Sequence, residues 1–342
     1  MMSQTLAEIG EFGLIRLIRD LIDMEGVNEP RLMMGIGDDS ASFLPREGYE
    51  ILITCDCMVE GRHYLRGHIN PLDLGSRAMV MSISDIGAMG GIPVFATVSL
   101  GVKKDTPVHY ILEMYRGFIR ELNPLGAAVI GGNITGSDHS DFMDITLIGE
   151  VERGKIIRRS TARPDDIVMV TGFPGQAAAG LSILLNNEDT GELQSNPLVR
   201  AYNKPVHRAR EGRAAALSGY ATSMIDISDG LLGDLGHICE ESGVGAEIIR
   251  EALPVSAYMR AFSGSNGRDH YKWILGESDD YELIITCAPN NTDKVRSAIA
   301  EISDVPVTEI GRITSKTNGI EIVFPDGSKH EEVHIGWDHF KK

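Results

Sequence analysis

Between Gly35 and His63 the chain gathers carboxylates close together: GIGDDSA supplies Asp38 and Asp39, and ILITCDCMVEGRH supplies Asp56. Acids bunched on glycine-rich loops at strand ends repel one another unless a cation lies between them. More follow in SISD (82–85), DISDG (226–230) and ESDDYE (277–282). Thr54, Ser82, Ser84 and Ser228 stand beside them, so the donors are hard oxygens. Mg2+ prefers such a set, taking one or two carboxylates with the rest of its shell from phosphates and water. The pattern therefore predicts acids converging on divalent ions that hold a nucleotide polyphosphate, with phosphoryl transfer run by positioning and metal charge.

Other chemistries lack their residues. No cluster of histidines and thiolates suits a hydrolytic zinc centre. Neither a nucleophile elbow nor the HRD and DFG elements of protein kinases occur. Acidic residues (49) outnumber basic ones (32) for a formal charge of −17. A field of that sign opposes nucleic-acid backbones and anionic membranes, and it makes an anionic substrate depend on cations. The cysteines at 55, 57, 239 and 287 lack paired-knuckle spacing. Cys55 and Cys57 are expected on opposite faces of a strand, as small apolar residues in a reduced compartment. No run is long and apolar enough to span a bilayer, and the N-terminus lacks a signal-peptide core, so a cytoplasmic location is expected.

The elements that must place these acids alternate. Leu6, Ile9, Leu14, Leu17, Ile18 and Leu21 form one helical stripe over 6–23, weakened at Gly13. Ile51–Thr54 reads as a strand delivering Asp56 near its end. Asn70-Pro71 opens a helix that carries Asp85 near its C-terminal end, where desolvation and the helix dipole both disfavour an unpaired carboxylate. Asp85 is then either a metal ligand or an inward polar residue satisfied by a neighbour. Pro93–Leu100 and Met143–Val151 read as strands, 107–122 as an amphipathic helix, and Ala127–Gly132 as a strand ending on a diglycine turn before Asn133. Polar, basic GKIIRRSTAR (154–163) marks a junction, giving domains at 1–153 and 154–342, each α/β or α+β.

In the second domain, Gly172 and Gly175 lead from a strand into a helix, a geometry open to phosphate binding or to an ordinary tight turn. If the strand at 221–227 persists, Asp226 and Ser228 share a face with Asp229 beyond. Capping of the following helix is the competing explanation for Ser228 and Asp229.

Taken together, GIGDDSA, TCDCMVEGRHY, SISDIGAMGG, RSTARPDD, MIDISDGLLGDLGHICEESGVGA and DDYELIIT resemble the aminoimidazole-ribonucleotide synthetase (PurM-like) superfamily over nearly the whole chain. Within it they are most similar to the kinases that act on thiamine monophosphate. That resemblance implies an N-terminal domain dimerising through its sheet, a C-terminal α/β domain, and ATP with several Mg2+ ions in a cleft. The γ-phosphoryl of ATP would pass to thiamine monophosphate. Motif matching implies metal ligands at Asp38, Thr54, Cys55 (through its carbonyl), Asp56, Asp85, Asn133, Asp226 and Asp229. It implies nucleotide contacts at Tyr115, Gly132, Asn133, Arg159 and Ser228. Substrate contacts are implied at His63, Asp279 and Trp337, where an indole and a carboxylate suit a thiazolium cation. Two departures stand out: Asn133 replaces a usual aspartate, and Cys55 a usual threonine. The alternatives are an ATP-binding homologue with altered catalysis, to which Asn133 points, and another small-molecule synthetase or kinase of the superfamily. A reactive N-terminal cysteine and a cysteine-ended tail, marks of two other branches, are both missing.

Overall fold

A computed structural model describes residues 4–186, 192–315 and 319–332. Two units make up the chain, Met1–Ile86 with Gly91–Arg153, and Gly87–Gly90 with Gly154–Lys342.

The first unit is built from α1 (Leu6–Glu25), β1 (Leu32–Met34), β2 (Ser42–Phe43), β3 (Tyr49–Val59), α2 (Pro71–Ala88), β4 (Ile92–Val102), α3 (Val108–Leu122), β5 (Ala128–Gly136) and β6 (Phe142–Glu152). Its four-stranded sheet runs β3-β6-β4-β5, with only β4 and β5 parallel. β3 is longer than its β-branched segment suggests, because all eleven of its residues find partners on β6. Asp56 therefore lies inside the strand, not near its end. Alternation turns Leu52, Thr54, Asp56 and Met58 to one face and Ile51, Ile53, Cys55 and Cys57 to the other, which is exposed. The two thiols thus share a face, correcting the expected split, since residues two apart on a strand point the same way.

Two further local details differ. Helix α1 runs through Gly13 unbroken, as expected, but is kinked at Gly10, with φ +66°, which the stripe did not foretell. Leu14, Ile18 and Leu21 are its buried stripe. The diglycine at 131–132 is no turn: β5 runs through it, past a register shift opposite β4. At Gly132 a Cβ would lie 1.9 Å from the Val98 carbonyl oxygen, so the strand can approach β4 there only without a side chain.

The second unit contains β7 (Ile167–Thr171), α4 (Gln176–Leu185), α5 (Pro197–Asn203), α6 (Ala209–Ser218), β8 (Ala221–Asp226), α7 (Leu231–Ser242), β9 (Val244–Ile249), α8 (Ala257–Asn266) and α9 (Tyr271–Ile274). It closes with β10 (Leu283–Cys287), α10 (Thr292–Ala300), β11 (Val307–Ser315), β12 (Ile320–Val323) and β13 (Lys329–Glu332). The sheet order is β13-β12-β9-β11-β7-β10-β8. Its central strands are apolar on both faces, as a covered sheet requires. Val168, Val170, Ile225 and Ile284 pack in one core with α4 and α7. Met169, Met224, Leu283 and Ile285 pack in the other with α6 and α10. No described helix is long and apolar enough to cross a membrane.

Candidate functional site

In the first unit, β3 turns Thr54 and Asp56 toward α2, where Ser82 and Asp85 stand three residues apart on one helical face. Ser82 Oγ, fully buried, donates to Asp56 Oδ2 at 2.7 Å, and Thr54 Oγ1 donates to Asp85 Oδ2. Burial, then the charges of Asp85 and Asp144, push the Asp56 carboxyl up to about 6, while the Ser82 bond pulls it down. Two facing carboxylates and a hydroxyl, in surroundings that already penalise their charge, form a hard-oxygen set suited to a divalent cation. Asp85 has its neighbour in Thr54, so the two expectations for it are compatible.

The other first-unit candidates sit on further elements. Asp38 is on the exposed turn between β1 and β2, its carboxylate accepting from the Asp39 amide at 2.8 Å. Asn133 is exposed on β5, in register with Ser99 and, through it, with Asp144 and Cys57. That row lies on the face opposite Asp56. β3 and β5 are also the two edges of the sheet, three strand spacings or about 14 Å apart. Within one chain, Asn133 does not join Asp56. Cys55 shows its thiol to that same outer face, donating to Asp144 Oδ1 at 3.3 Å. Tyr115, expected to touch nucleotide, is a core residue 3% exposed, its ring edge-on to Phe118. His63 accepts the Val59 amide at Nδ1 (2.9 Å), which leaves the proton on Nε2 of a neutral ring.

In the second unit, β8 stops at Asp226, 5% exposed, and the chain turns through Ser228, Asp229 and Gly230 into α7. Neither Ser228 nor Asp229 stands at the N-cap of the helix. The N-cap is Gly230, and Asp234 of α7 reaches back to accept the amides of both Ser228 and Asp229 at 3.0 Å. Burial, opposed by these amides, raises the Asp234 carboxyl to about 7. Asp229, Asp234 and His237 bring one potential ligand atom each within 4.8 Å of one another, and among the described residues they are the group of three or more acids, thiols and imidazoles so placed. Sequence reading missed Asp234 and His237, although their spacing from Asp229 along a helix start was visible.

Beside this turn lies the ESDDYE loop. Ile227 exchanges backbone bonds with Tyr281 and Glu282 (2.8 Å each). At Gly230, φ +107°, a Cβ would lie 2.2 Å from the Gly276 carbonyl oxygen. Half-buried Asp279 is thus held near the DISDG turn. Asp280 accepts the Gly175 and Ala177 amides (2.5 and 2.9 Å), and Ser278 accepts that of Ala178 (3.2 Å). These bonds occupy the α4 N-terminus, so the glycine turn there is a protein-capped turn and not a phosphate cradle. Arg159 is exposed, its carbonyl accepting from Ser242 Oγ at the C-terminal end of α7. Ser228 is at the other end, about 18 Å along the helix. Trp337 falls outside the described residues.

Residues 37–151 match the N-terminal domain of AIR synthase related proteins, and residues 163–323 match the C-terminal domain. The chain is 33% identical over 310 residues to thiamine-monophosphate kinase of Bacillus subtilis (strain 168), covering 90% of this chain and 94% of that one. It is 30% identical to the thiamine-monophosphate kinase of Stenotrophomonas maltophilia K279a, whose crystal structure superposes with a TM-score of 0.81 over 94% of this chain and 98% of that one. A structure of AaThiL complexed with AMPPCP and TMP is 32% identical, with a TM-score of 0.73 over 99% of this chain and all of that one.

Proposed function

The chain belongs to the thiamine-monophosphate kinase family, and from that premise we propose that it transfers the γ-phosphoryl of ATP to thiamine monophosphate, yielding thiamine diphosphate and ADP. The observation that carries this reading is the Asp56–Asp85 pair, drawn together across the β3–α2 contact with the oxygens a hard cation needs. We assign Mg2+ to Thr54, Asp56 and Asp85 in the first unit and to Asp226 and Asp229 in the second. When bound, Mg2+ would offset the repulsion between donor and acceptor phosphates.

The chain's own residues then have limited work. The acceptor is a phosphate, ionised at neutral pH, so no strong general base is needed. His63, held after β3 by the Val59 amide at Nδ1, is assigned to the substrate. Ser228 is exposed at the turn and available to nucleotide, and Asp279 supplies a carboxylate for the thiazolium. Arg159 and Trp337 keep their nucleotide and substrate roles as part of the proposal. Asp38 is kept as a metal ligand, and Asn133 as a ligand only for an ion other than the one at Asp56.

We also assign self-association to β3. It is an edge strand whose outward residues include Ile51 (42% exposed) and Ile53 (69%), an apolar stripe that invites a second copy.

The test is direct: purified protein with ATP, thiamine monophosphate and Mg2+ should form thiamine diphosphate and ADP in equal amounts. ATP binding without product would favour the catalytically altered homologue instead.

A further inference from the structure

We infer that Asp234 is a positioning residue of the DISDG turn, holding Ser228 and Asp229 in place through their backbone amides. This rests on the assignment above of Ser228 to nucleotide and Asp229 to metal. A helix start is ordinarily closed by a Ser, Thr, Asp or Asn side chain at its N-cap. Here two residues of that kind precede α7, yet the N-cap itself is Gly230, which has no side chain to give. The direction is reversed. Asp234, the fourth helical residue and 2% exposed, accepts from the Ser228 and Asp229 amides with one oxygen, Oδ2, at 3.0 Å each.

The turn is fastened at three places. Ile227 is paired with Tyr281 and Glu282, and Gly230 is pressed against Gly276. Both of those hold the flanks. The Asp234 carboxylate grips the two residues whose side chains are proposed to do the binding, and it does so through their backbone amides. Their directions are set before any ligand arrives. Outer partners of this kind change metal affinity when removed, even without touching the metal.

A rival role is direct ligation, because Asp229, Asp234 and His237 have donor atoms within 4.8 Å of one another. The two roles separate by chemistry. An amide oxygen at position 234 can still accept both N–H groups but brings no charge to a metal, whereas an alanine does neither.

Binding of Mg2+ with a non-hydrolysable ATP analogue, followed by calorimetry on the full chain, is the measurement. Asp234→Ala should weaken binding by about tenfold or more and Asp234→Asn by no more than about threefold. Val295→Ala, a core change at a fully buried site far along the sequence, serves as the stability control and should leave binding unchanged. Unchanged binding in Asp234→Ala overturns the inference. An equal loss in Asp234→Ala and Asp234→Asn overturns it in favour of ligation. Should Asp234→Ala fail to fold, amide exchange of the wild-type protein without metal decides. The Ser228 and Asp229 amides should exchange at least about tenfold slower than an open turn allows, and exchange at the open rate sinks the idea. The exchange result does not depend on thiamine diphosphate formation, so a wild-type protein without kinase activity would defeat the proposed function and leave Asp234 still decidable.

Discussion

Ser82 Oγ donates to Asp56 Oδ2 at 2.7 Å, joining a buried helical hydroxyl to a carboxylate in the middle of a strand. The bond fixes the carboxylate's orientation toward Asp85 and favours its charged form, against the burial and neighbouring charge that disfavour it.

Removing that hydroxyl should therefore weaken metal binding without touching a ligand. Ser82→Ala is expected to raise the Mg2+ concentration for half-maximal activity by about tenfold at neutral pH, in line with losses seen for outer partners of metal ligands. Titrating initial rate against Mg2+ reads it, and an unmoved midpoint would remove Ser82 from the site.

Proton and metal should compete at Asp56. Its carboxyl is raised to about 6 without metal, so below pH 6 the protonated form predominates and a cation must displace that proton. Apparent Mg2+ affinity should be flat above pH 6 to 7 and fall about tenfold per pH unit below it. In Asp56→Asn this dependence should vanish along with most of the affinity. A binding curve insensitive to pH between 5 and 7 in the wild type would contradict the placement.

Asn133 faces away from Asp56 and sits on the far edge of the same sheet. Asn133→Asp should accordingly move the Mg2+ midpoint by less than about threefold, against a far larger shift for Asp56→Asn. Comparable shifts from both variants would mean that position 133 reaches the ion from a second copy of the chain.

The outer face of β3 gives two readouts at once. Cys55 and Cys57 are exposed there, whereas Cys239 and Cys287 are buried. Ile53→Glu should shift the protein to a monomer in light scattering. Its Cys55 and Cys57 should then react rapidly with a thiol reagent, and the same pair should be protected in the associated wild type. Fast reaction of both thiols in a wild-type dimer would place the interface elsewhere.

From the residues alone came the oxygen character of the donors, the need for cations on an acidic chain, the alternation of strands and helices, and the motifs that mark the family. These depend on side-chain type and short-range spacing, which a linear chain displays in full. Which acids meet was not legible in the same way. Asp56 and Asp85 are neighbours because α2 packs across the inner face of β3, while Asn133, equally close to the motif pattern, is carried to the opposite face by strand parity and to the far edge by strand order. For Ser228 and Asp229 capping competed with a binding role, and nothing in the spacing showed that Asp234 would accept both of their amides. Such outcomes follow from long-range packing, where a single residue of register or a single helix crossing decides whether two charges are a site apart or in contact.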